Sequence, residues 1–105
     1  MKRINIFSAD SKENQHGVDV KMLYNRPEAQ AVMITLQPGQ KLKPHTTATD
    51  VFFFIYEGIT TVHIGNETDN FESGNLIESP AGIIHWLSNE TEQVTRILVV
   101  KAPRP

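Results

Sequence analysis

The side chains best suited to chemistry are four histidines, His16, His45, His63 and His85, in a chain with no cysteine. The lack of thiols excludes disulfides, thiolate metal sites and cysteine nucleophiles. Imidazole titrates near neutrality, so a pair of rings can bind a carboxylate or exchange protons with a ligand. Neutral imidazole also ligates Zn, Ni, Cu, Fe and similar ions. His45 and His85 lie far apart in the chain, so any joint action depends on the fold. His16 falls in a polar stretch before the first clear strand and reads as solvated. Other side chains have plainer readings: Tyr56 and Trp86 as core aromatics of strands, Thr46, Thr47 and Thr49 as loop hydroxyls, and Glu57 as a surface acid before a glycine turn.

The elements that must position these residues are strands. Val18, Val20, Met22 and Tyr24 alternate with Asp19, Lys21 and Leu23, the period of a half-buried strand. Apolar or β-branched runs follow at Ala31 to Leu36, Val51 to Tyr56, Ile59 to Ile64, Leu76-Ile77, Ile83 to Leu87 and Val94 to Val100. Turn residues separate them: Asn25-Arg26-Pro27-Glu28, Pro38-Gly39, Glu57-Gly58, Gly65-Asn66, Ser73-Gly74 and Ser79-Pro80-Ala81-Gly82. No ten-residue stretch carries a helical stripe. Short strands at roughly 8–12-residue spacing predict a sandwich or barrel. With 105 residues and 39% hydrophobic side chains, one domain over 1–105 with one core is expected.

Two segments carry more specific information. The first reads Gly39-x5-His45-x-Thr47-x3-Val51-x6-Gly58, and the second Gly74-x5-Pro80-x-Gly82-x2-His85-x3-Asn89. Together they resemble the two sequence motifs of the cupin family of double-stranded β-helix, or jelly-roll, barrels. The second segment matches at all five defining positions, and the first keeps Gly39, His45 and Gly58 at the family spacing. The resemblance implies an all-β cupin-like barrel with its site in the mouth.

The resemblance also implies four metal ligands: two histidines and a glutamate from the first motif and one histidine from the second. Here His45 and His85 stand at two of those positions, while Thr47 and Val51 occupy the others. Protein sites normally supply three or four ligands. Asp50, Glu57 and His63 are the residues available to complete a set, with His63 the leading candidate. The expected cofactor is therefore a divalent ion (Zn, Ni, Fe or Mn) held by His45, His85 and His63, or none. No nucleotide cofactor is expected.

The expected ligand pocket comprises His45, Thr47, Val51, Phe53, His85 and Leu87, with Trp86 as an alternative to Leu87. Two functions remain open: a module that binds a small molecule, and a metal-dependent enzyme of dioxygenase, isomerase or decarboxylase type. The missing carboxylate ligand favours the first. The resemblance turns Val51, Phe53 and Ile55 inward, so Phe52, Phe54 and Tyr56 face outward. An apolar stripe of that kind predicts a covering partner, most simply in a homodimer. The alternative cover is the N-terminal segment around Ile4 and Ile6. Net charge is -2 with no basic block, which disfavours nucleic acid and membrane surfaces. The charged start, Met1 to Asn5, lacks an apolar region behind it, so a cytoplasmic protein is expected.

Overall fold

The computed structural model describes all residues 1–105 and contains eight strands and no helix. They are β1 (Asp19–Arg26), β2 (Ala29–Leu36), β3 (Asp50–Glu57), β4 (Ile59–Ile64), β5 (Glu67–Glu72), β6 (Leu76–Ser79), β7 (His85–Ser88) and β8 (Thr95–Ala102). All pairings are antiparallel, in a five-stranded sheet ordered β1-β2-β8-β3-β6 and a three-stranded sheet ordered β5-β4-β7. The two sheets face each other as a jelly roll. Closure comes from their packing, since β5 and β6 do not pair.

The strands form where alternation or β-branching predicts them, with one addition, β5, and one trim: β7 begins at His85, which leaves Ile83 and Ile84 exposed in the turn before it. β5 reads Glu-Thr-Asp-Asn-Phe-Glu and is mostly exposed. Only Phe71 packs toward the core, so hydrophobic patterning carries almost no signal there. Its register comes instead from the hairpin with β4, where Ile64 opposes Glu67 across Gly65-Asn66.

Strand alternation sorts β3 cleanly. Val51, Phe53 and Ile55 are buried in the core with Leu36, Leu87 and Ile97. Phe52 and Phe54 are half-buried and Tyr56 is exposed. The register sets Phe54 opposite Leu98 on one side and exposed Leu76 on the other. The outer face of the large sheet thus carries an apolar band. The N-terminal segment reaches only part of that face. Lys21 Nζ donates to the Ile6 carbonyl at 2.8 Å, and the Arg96 guanidinium lies 5.2 Å from the Phe7 ring centroid.

Asn89 ties the second motif to the fold. It is fully buried, and its Nδ2 donates to the carbonyls of Leu36 (2.9 Å) and Gln93 (2.7 Å). Its Oδ1 accepts from the Thr91 amide at 2.9 Å and the Thr91 hydroxyl at 2.8 Å. One side chain therefore satisfies the end of β2 and shapes the turn into β8. No helix of the chain is long and apolar enough to cross a membrane.

Candidate functional site

His45 and His85 meet because the backbone pairs them. Residues 41–45 join the edge of the small sheet beside β7 through the bridges Lys41↔Ser88 and His45↔His85. The two histidines exchange both amide bonds, His45 N–H to His85 O at 3.1 Å and His85 N–H to His45 O at 2.9 Å. Directly opposed residues of an antiparallel pair present their side chains on one face. The two rings accordingly lie edge to face, with centroids 4.7 Å apart and planes at 88°.

Their surroundings differ. His85 is 2% exposed, lies 5.3 Å from the Phe53 ring, and its Nδ1 is hydrogen-bonded to Ser79 Oγ at 2.7 Å. Burial strips solvation from its imidazolium, and His45 and Lys101 add positive charge, so its pKa falls to about 4. His45 is turned by its Nδ1–H, which donates to the Lys43 carbonyl at 3.0 Å.

A third ring joins them. His16 lies 5.5 Å from His45, at the end of a segment held by Lys12 N–H to Val20 O (2.7 Å) and Asn14 Nδ2 to Val18 O (2.8 Å). The Lys43 amide donates to His16 Nδ1 at 2.7 Å. This corrects the reading of His16 as solvated: burial first, then His45, Lys43 and Lys101, lowers its pKa. The Lys43 backbone also decides the tautomers. Its N–H only donates and its C=O only accepts. Neutral His16 therefore carries its proton on Nε2, and neutral His45 keeps a bare Nε2.

The three imidazoles line a cavity of about 220 Å³ inside the roll, a volume worth roughly seven waters. Its wall is mostly apolar and includes Val20, Val32, Leu42, Phe53, Leu87 and Val99. Gln30 and Lys101, which oppose each other in the β2–β8 register, add the remaining polar groups. Lys101 continues the inward parity of Ile97 and Val99. No aspartate or glutamate lines the cavity. A larger and more open hollow of about 910 Å³ lies along the unpaired edges of β5 and β6, and it contains no histidine or lysine.

The structure brings together His45, Phe53, His85 and Leu87 of the expected pocket, while Trp86 borders the cavity with its ring stacked on His63. It does not bring Thr47 or Val51 to the cavity wall. The Thr47 hydroxyl donates to the Thr49 carbonyl at 3.0 Å within its loop, and Val51 is buried in the core beyond the cavity. His63, the expected third ligand, is on the opposite side of its strand. Ile64 opposes His85 and Val62 opposes Leu87, which leaves His63 opposite Trp86 on the outer face. Its ring stacks on Trp86 with centroids 4.3 Å apart and planes at 5°. Both its nitrogens are engaged, Nε2 with Ser88 Oγ at 2.9 Å and Nδ1 with Thr68 Oγ1 at 3.2 Å. The other two candidates are also elsewhere: Asp50 Oδ1 accepts from the Ala81 amide at 2.9 Å, and Glu57 pairs with Arg96 at 2.6 Å. Sequence reasoning missed His16 and Lys101. Parity along β8 carried a signal for Lys101; nothing in its loop marked His16.

Comparison with known proteins agrees with this fold. A family model for the cupin domain matches residues 32–101. The uncharacterized protein SCO3923 of Streptomyces coelicolor is 34% identical over 61 residues, which are 58% of this chain and 55% of that protein. The match thus spans about half the relative's length. TT1209 from Thermus thermophilus superposes over 100% of both chains with a TM-score of 0.86 at 26% identity. KdgF from Halomonas sp. covers 100% of this chain and 96% of its own, with a TM-score of 0.87 at 18% identity, a likeness of fold alone.

Proposed function

Because this chain belongs to the cupin family, we propose that it binds a small molecule in the cavity where His16, His45 and His85 converge. The observation that carries this reading is the cavity itself: an apolar interior space of about 220 Å³ with a few polar groups turned into it. A core serving stability alone would fill such a space with side chains. The bare Nε2 of His45 and the Nε2–H of His16 supply an acceptor and a donor to orient a ligand.

Proteins of this fold family often bind metals, and a divalent ion would need three or four suitable donors in the cavity. His45 and His85 supply two imidazoles. His16 turns a protonated nitrogen away from its Lys43 bond, no carboxylate lines the cavity, and Lys101 places a cation there. No group of three or more His, Cys, Asp or Glu side chains is arranged to hold a metal. This set does not fit a divalent cation, and no catalytic step is assigned through one. The alternative function, a metal-dependent enzyme, needs a ligand this cavity does not supply.

The test is elemental analysis and native mass spectrometry of protein purified without chelator. Metal well below one equivalent per chain is expected, with a small molecule carried through purification and released on denaturation. Near-stoichiometric metal that disappears in H45A and H85A but persists in H63A would overturn the metal-free reading and favour the enzyme.

The outer band of Phe52, Phe54, Tyr56, Leu76 and Leu98 supports a second proposal, a homodimer whose two-fold axis covers that face. The N-terminal segment is anchored at Lys21 and Arg96, so it leaves Tyr56 and Leu76 about half exposed. Light scattering should give twice the chain mass of 11.8 kDa at micromolar concentration. A single 11.8 kDa species would remove the proposal.

A further inference from the structure

The cavity has a charge and no counter-charge. Lys101 enters it from β8, beside Gln30 of β2. Lys101 is half-buried and shares the cavity wall with His16, His45 and His85. The only ion pair of the chain joins Arg96 to Glu57 on the large sheet, so Lys101 has no carboxylate partner. Burial lowers the Lys101 pKa as well, the expected response of an ammonium that has lost water and gained no anion. A half-buried unpaired cation opposes folding, and the wall of this cavity is mostly apolar.

We infer that Lys101 is the counter-ion for the ligand, and that the cavity takes a small monocarboxylate with a compact apolar body. This rests on the reading of the cavity as a ligand site and names the class of ligand. One ammonium, with the Nε2–H of His16 as a further donor, matches one carboxylate. Val32, Leu42, Phe53 and Val99 would contact the rest of the molecule. Phosphate is a poorer match. It carries more charge and more acceptor oxygens than this donor set answers, and the fold has no helix N-terminus to add amides.

The test uses benzoate, its neutral counterpart benzamide, and inorganic phosphate, each titrated into the intact protein and into K101M, with amide chemical shifts as the readout. Benzoate should shift the amides of Val32, Phe53, His85 and Val99 and bind more tightly than benzamide. K101M keeps the length of the stem and removes the charge, and should weaken benzoate about 10- to 100-fold while leaving benzamide unchanged. K101M should also unfold at a higher urea concentration than the parent protein, so weaker binding cannot be ascribed to a damaged fold. Equal binding of benzoate and benzamide, or of benzoate by both proteins, would leave the cavity as a ligand site. It would overturn the anion and make Lys101 a stem that only covers apolar wall. Phosphate binding in place of benzoate would overturn the carboxylate. No cavity shift with any probe would overturn the ligand site as well.

Discussion

Gly58→Ala is expected to leave little folded protein, whereas Gly39→Ala should remain folded. Both glycines adopt left-handed backbone conformations, φ +80° at Gly58 and +83° at Gly39. An alanine there costs roughly 1–2 kcal/mol at either position from backbone conformation alone. The surroundings separate them. A Cβ on Gly58 would stand 2.4 Å from the Val94 carbonyl oxygen and 3.0 Å from Thr95 Cα, while nothing lies within 4 Å at Gly39. The atoms that would have to move belong to the backbone entering β8, which pairs with both β2 and β3. Thr95 is also fixed by its hydroxyl, which bonds the Glu57 carbonyl at 2.8 Å and the Thr60 hydroxyl at 2.6 Å. Relieving the clash would therefore strain the centre of the large sheet. A combined cost of several kcal/mol is comparable with the ~5–15 kcal/mol stability of a typical domain. Urea unfolding followed by circular dichroism measures the difference. A G58A midpoint equal to that of G39A would show that the close approach carries no weight.

Acid should destabilise the protein in the window set by His85, well above the usual carboxylate range. The folded pKa of His85 is about 4 against an ordinary value of 6.5. Between these values the unfolded chain binds a proton that the folded chain refuses. Stability therefore rises with pH through the window. The contribution is fully present above about pH 6.5 and is lost as pH falls toward 4. The size follows from 1.36 kcal/mol per pKa unit, giving about 3 kcal/mol for this one ring. His16 and His63, whose pKa values are also lowered, act in the same direction. Urea midpoints at half-unit pH steps from 4 to 7 measure the slope, and H85N should flatten most of it. If H85N and the parent protein keep the same slope, the acid sensitivity resides elsewhere. The physical source is the packing of His85: its ring is 2% exposed between Phe53, Ser79 and His45, where an imidazolium would have little water and no anion.

Much of the architecture was legible because strands announce themselves by alternation. Val51, Phe53 and Ile55 turn inward, as the pattern requires. Gly39, Gly58, Gly74, Pro80 and Gly82 mark the reversals. β5 was illegible for the opposite reason: an edge strand with one packed side chain has no apolar face to display. The same limit explains His63. Its strand was recognised, but residues 59–64 are so uniformly apolar and Thr-rich that they do not reveal which parity faces inward. Only pairing with β7 turns Val62 and Ile64 to the interior and His63 outward.

Turns and period-two alternation along the chain were enough to specify an all-β sandwich or barrel, and the resemblance of the two motifs to those of the cupin family added the jelly-roll class and singled out His45 and His85. The composition of the cavity emerged only from the folded arrangement. His16 arrives on a loop whose position depends on bonds to Val18, Val20 and Lys43, and Lys101 arrives through the register of β8 with β2. Such contacts join residues distant in the chain, and no local pattern encodes which distant partner a loop or a strand end will find.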